Sequence, residues 1–113
     1  MRAINRSAFV VRPKEPFLRW AAGVDAKAPS AAESLRGRVS VYLVPEDPRG
    51  EKETPPLADY FMQIFRIELE GWSRDESQWP EMPDLETFEQ WFDVVGESII
   101  VDLGADRLRT EEL

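Results

Sequence analysis

The stretch LADYFMQIFRIELEGW, Leu57–Trp72, constrains the fold more than any other part of the chain. Its polar residues Asp59, Gln63, Arg66 and Glu70 recur at spacings of four, three and four, which is one narrow wet stripe along a helix. The remaining positions form two apolar rows, one through Ala58, Phe61, Met62, Phe65, Leu69 and Trp72 and the other through Leu57, Tyr60, Ile64 and Ile67. A cylinder apolar over that much of its girth is expected to be covered on two sides. Phe65–Glu70 also alternates like a strand, but the stripe that starts at Asp59 continues through it, so the reading is helix throughout.

The other elements follow from local signals. Ser7–Pro13 is a β-branched and aromatic run stopped by proline, and reads as a strand. The segment EPFLRWAAG then gives a two-turn helix with Pro16 in its first turn and Gly23 at its close. Ser30–Glu33 has the spacing of a capping box, and Gly37 closes that short turn. Arg38–Pro45 is the clearest strand. Val39, Val41 and Leu43 alternate with Ser40, Tyr42 and Val44, and apolar residues in both sets imply a central strand. Asp84–Gly96 reads as a second long helix, capped by Asp84, closed by Gly96, and buried along Leu85, Phe88, Phe92 and Val95. Glu97–Gly104 reads as a last strand. Residues 45–56, polar and proline-rich, form a flexible loop, and 105–113 a tail that frays.

A chain of 113 residues has room for one core. The expectation is a single α+β domain over residues 1–113, with about three strands packed against two longer helices and one or two short ones. Strands separated by helices, without a hairpin signal, suggest a parallel β–α–β pair at the start.

Composition narrows function mainly by exclusion. The chain has no cysteine and no histidine, which removes disulfides, thiolate metal sites, a cysteine nucleophile and every imidazole-based mechanism. No catalytic residue, cofactor-binding motif or metal-ligand set can be named, and the reading is that the protein is not an enzyme. The segment around Asp75–Glu86 lacks the glycine and ligand spacing of a calcium loop. The start lacks the apolar stretch of a signal peptide and no run is long enough to span a membrane, so a cytoplasmic location is expected.

Charge is unevenly spread. Residues 1–45 carry eight Lys/Arg against three Asp/Glu, whereas residues 68–97 carry one against ten, within a net charge of −8. Such a field opposes nucleic acid, since phosphate would meet acid. The most acidic stretch, GWSRDESQWPEMPDLETFEQWF, also holds three of the four tryptophans. Trp72 and Trp91 fall on or beside apolar helical rows and read as core. Trp79 lies between the helices, and two readings stay open for it. It either plugs the end of the core, or stands exposed as the anchor of a contact surface rimmed by Asp75, Glu76 and Glu81. On the second reading the partner is another protein, or a second copy of the chain in a homodimer. A small-ligand binder or carboxylate-based enzyme with a cleft near residues 73–84 is the alternative.

Taken together, NRSAFVVRPKEPFLRWA, VYLVPE, ELEGW with DESQWP, and FEQWFDV with SIIVDL resemble a family of short bacterial proteins of unknown function, over about Asn5–Leu103. The resemblance implies a bacterial, cytosolic, single-domain protein. It implies no activity, cofactor or catalytic residue.

Overall fold

The computed structural model describes residues 1–24, 29–47, 55–81 and 84–113. They form a small α+β domain of strands β1 (Arg2–Ala3), β2 (Arg6–Pro13), β3 (Ser40–Pro45), β4 (Phe92–Glu97) and β5 (Val101–Asp102), and helices α1 (Glu15–Val24), α2 (Phe61–Glu70) and α3 (Leu85–Trp91). Three-residue to seven-residue 3-10 turns occupy Pro29–Leu35, Leu57–Asp59 and Glu76–Gln78.

The main sheet has the order β3–β2–β4, with both pairings antiparallel. The parallel β–α–β expectation is therefore wrong. Although α1 and the Pro29–Leu35 turn intervene, the chain returns along β2 in the opposite direction. Gly37 makes that return, with φ of +79°, a left-handed conformation that costs a residue without Cβ little.

The central strand is β2, not β3. Arg6–Pro13 pairs on both sides and carries Ser7, Ala8, Phe9 and Val11, all buried. Strand β3 lies at the sheet edge. Its Tyr42 and Val44 face the core, while Val41 and Leu43 are 60% and 50% exposed. Alternation alone could not separate these cases, because both sets of β3 side chains are apolar.

The main helix is divided at Tyr60. Leu57–Asp59 is a 3-10 turn, Tyr60 has φ −127° and ψ −14°, and the α-helix proper runs Phe61–Glu70. Residues 65–70 are helical, as the polar stripe implied. Cover on two sides does not hold: Ile64, Phe65 and Leu69 are buried, but Met62 and Ile67 are 39% and 44% exposed.

The largest correction concerns Asp84–Gly96. Asp84 does cap its helix, accepting from the Thr87 N–H at 2.7 Å. The helix ends at Trp91, however, and Phe92–Glu97 is strand β4. Strand pairing with β2 and the β-branched Val94 and Val95 outweigh the helical spacing. Gly96 accordingly sits opposite Phe9 in the sheet and closes no helix, and Val95 is exposed. Of the expected strand Glu97–Gly104, Glu97 ends β4 opposite Ala8, and Val101–Asp102 pairs with Arg2–Ala3 in a separate two-stranded ribbon. Gly23 likewise lies inside α1, which extends to Val24.

The core lies between the inner face of the sheet and the helices. Phe65 is its hub, with ring centroids 5.6 Å from Phe88, 5.4 Å from Trp91 and 5.5 Å from Phe92. Phe17 joins from α1, 5.0 Å from Phe92. The middle of the 45–56 loop, residues 48–54, lies outside the described residues. The 105–113 tail is exposed and belongs to no helix or strand.

Candidate functional site

Helix α2 separates two surface grooves, and the one that contains Trp79 is built from the end of α2 outward. The Leu69 carbonyl accepts from Trp72 N–H at 3.1 Å and Ser73 N–H at 2.9 Å, turning the chain back. Asp75 then caps the Glu76–Gln78 turn, accepting from the Ser77 N–H at 3.1 Å and hydroxyl at 2.6 Å. Trp79 ends the turn in an extended conformation, φ −76° and ψ 153°, as a residue before proline prefers.

Trp79 is half-buried, packed against the core and also facing the surface. Its indole N–H donates to the Ser73 carbonyl at 2.8 Å, which fixes the ring. The Arg66 guanidinium lies 5.5 Å from the ring centroid and is held there by Glu76 at 2.5 Å and Glu70 at 3.7 Å. The ring therefore packs on the core, as a plug would, and also lines a groove at the surface.

Trp79 forms part of the wall of a groove of about 320 Å³. Met62, Phe65 and Leu69 supply its apolar floor and opposite wall, Pro80 extends the Trp79 side, and Gln63 and Arg66 give it a polar margin. That volume is at the low end for ligand pockets and suits one large apolar side chain.

The acidic residues named with Trp79 play different parts. Asp75 is engaged as a cap, Glu76 is paired with Arg66, and Glu81 is exposed at the end of the described stretch. None of the three lines the groove itself. Among the described residues, no group of three or more Asp or Glu is placed to hold a metal ion.

On the opposite side of α2, the structure places a carboxylate that sequence reasoning passed over. Glu68 is half-buried and accepts from the Ser40 hydroxyl at 3.4 Å and from Tyr42. Burial raises its pKa above the ordinary carboxylate value, while the two hydroxyls and Arg38 oppose the shift. Tyr42 is also raised, first by burial and then by the charge on Glu68. The signal was available: Glu68 is the acid of α2 that lies off the polar stripe, between apolar Ile67 and Leu69. It lines a cavity of about 70 Å³ with Arg38, Ser40 and Trp72, room for one or two water molecules and not for a metabolite.

No helix among the described residues is long and apolar enough to cross a membrane. The chain matches no protein-family model, no curated protein and no solved structure.

Proposed function

We propose that this protein is a non-enzymatic interaction module of the bacterial cytosol, whose Trp79 groove receives an apolar side chain from a basic segment of a partner protein. One observation carries the reading. Trp79 is held by its own N–H and by the Arg66 guanidinium over its ring, and it lines an apolar groove in which Met62 remains 39% exposed. A fixed aromatic beside a shallow apolar depression is the usual composition of a protein-contact anchor, because little side-chain entropy is lost on binding. The sign of the partner follows from charge: residues 68–97, which include the groove's outer wall, carry one Lys/Arg and ten Asp/Glu.

The test uses short labelled peptides with a central Phe or Leu, flanked by lysines in one set and by glutamates in the other. Fluorescence anisotropy should show the lysine set binding at least about tenfold more tightly, a difference of about 1.4 kcal/mol. Met62→Asp places a charge in the groove from an exposed position and should remove binding while leaving the melting temperature nearly unchanged. Trp79→Ala should weaken binding by about thirtyfold, as loss of an anchor contributing about 2 kcal/mol requires. Equal affinity for both peptide sets, or undiminished binding by folded Met62→Asp, refutes the proposal.

A further inference from the structure

The geometry points to a second contact surface, independent of the Trp79 groove: the open edge of β3, where two copies of the chain join antiparallel through a twofold axis at Tyr42. Among the described residues, strand β3 pairs with β2 along one side only, and its other side is the sheet edge. An unpaired edge presents backbone N–H and C=O groups ready to add a strand. Natural edges are usually blunted by charge, yet β3 has none within Ser40–Pro45, where the sequence is SVYLVP. Its outward side chains are instead apolar and open, with Val41 60% and Leu43 50% exposed. On the core side, the edge is flanked by a groove of about 230 Å³ between β3 and α2, lined by Tyr42, Tyr60, Ile64 and Ile67. A strand added here would set alternate side chains into that groove and onto the outer face.

A second copy fits this edge in one register better than a generic peptide would. With Tyr42 opposite its own counterpart, Val41 lies opposite Leu43 of the other copy, so the outer apolar stripe continues across the axis. Ser40 and Val44 oppose one another on the core side. Val39 meets Pro45, where the missing N–H ends the ladder. Beyond them, exposed Arg38 falls opposite exposed Glu46, once at each end of the joined pair. Opposite charges therefore bracket an uncharged strand, and the same four pairings recur on both sides of the axis, as an isologous interface demands.

Analytical ultracentrifugation of the full chain over a concentration series tests the inference. The parent should sediment as a monomer–dimer equilibrium. Arg38→Glu or Glu46→Arg alone sets like charges opposite each other at both ends and should raise the dimer Kd by about tenfold; the combined swap should restore it to within about threefold of the parent. Val41→Lys, at an exposed position, should give folded monomer, with circular dichroism verifying the fold. A parent that stays monomeric across the series overturns the inference. So does a dimer indifferent to the swaps, or one broken equally by the single and double exchanges. Met62→Asp should leave the dimer intact, so failure here and failure of the groove reading are separable.

Discussion

Truncating Phe65 should be far more damaging than truncating Phe61, one helical turn earlier on the same helix. Phe65 is 1% exposed and lies within 5.6 Å, centroid to centroid, of three other rings. Phe61 is only half-buried and has a single ring neighbour, Phe88, at 6.0 Å. A buried Phe→Ala change costs about 3–5 kcal/mol, and an enclosed, ring-lined site that cannot collapse belongs at the upper end of that range. Halving the buried area and removing two of three ring contacts brings Phe61→Ala to about 1.5–2.5 kcal/mol. Against a total stability of about 5–15 kcal/mol, the first change unfolds a large fraction of molecules in a marginal case and the second does not. At about 4 °C per kcal/mol for a chain of this size, the melting shifts are about 12–20 °C and 6–10 °C. Urea unfolding followed by circular dichroism gives both midpoint and slope, so a change in the denatured state is visible as a change in m. Equal losses at the two positions would show that α2 is rotated from the orientation described. A Phe65→Ala protein melting within a few degrees of the parent would remove α2 from the core altogether.

The remaining expectations are more local. Glu68 has a folded-state pKa raised by burial, so the folded protein holds that proton more firmly than the unfolded chain; its contribution is complete below about pH 4.5 and is lost as pH rises through the folded value. Glu68→Gln should therefore match the parent in acid and become progressively more stable than it toward neutrality, and a parent that gains on the variant as pH rises contradicts this. Asp84 has the opposite sign, because the Thr87 N–H lowers its pKa: Asp84→Ala should lower the melting temperature at neutral pH, with the deficit shrinking as acid titrates the parent's cap. Trp79→Phe keeps a ring in the groove but loses the bond to Ser73, and should cost about 0.5–1.5 kcal/mol in a urea titration while retaining peptide binding. In a fluorescence titration near physiological salt, duplex DNA should not bind with sub-micromolar affinity, since the acidic field repels phosphate.

What could be read from the residues, and what could not, divides along a physical line. The polar stripe of α2 and the cap at Asp84 are local patterns, and both appear where they were expected. Errors arose where two local readings were equally good and a distant partner decided between them. Phe88 and Phe92 are four apart and both buried, which suits one helical face; the chain nevertheless changes to strand at Phe92 because β2 offers a full antiparallel ladder there. Val41 and Val44 are chemically alike and lie on opposite faces of the pleat, and only the side on which the core packs decides that Val44 is buried and Val41 exposed. The Trp79 groove was half legible. The ring and its acidic neighbours were evident, whereas Met62 and Leu69 come to it through the fold.

The coincidence of tryptophans and acids also has an answer in backbone chemistry. Between α2 and α3 the described chain has only one short 3-10 turn, so many of its carbonyls lack a ladder or helix partner. Indole N–H groups supply donors: Trp79 to Ser73 at 2.8 Å, Trp20 of α1 to Gln78 at 2.9 Å, and Trp72 to Ala21 at 2.8 Å. Each ring buries apolar surface and fastens an irregular segment to α1 or to itself, while acids on the same segment remain in solvent and keep it soluble. This makes Trp79 both a wall of the groove and a fastening of the loop. A basic peptide that fills the groove of the folded state should raise the melting temperature of the parent, by an amount that grows with the logarithm of its concentration above Kd. In Trp79→Ala that coupling should vanish together with the binding.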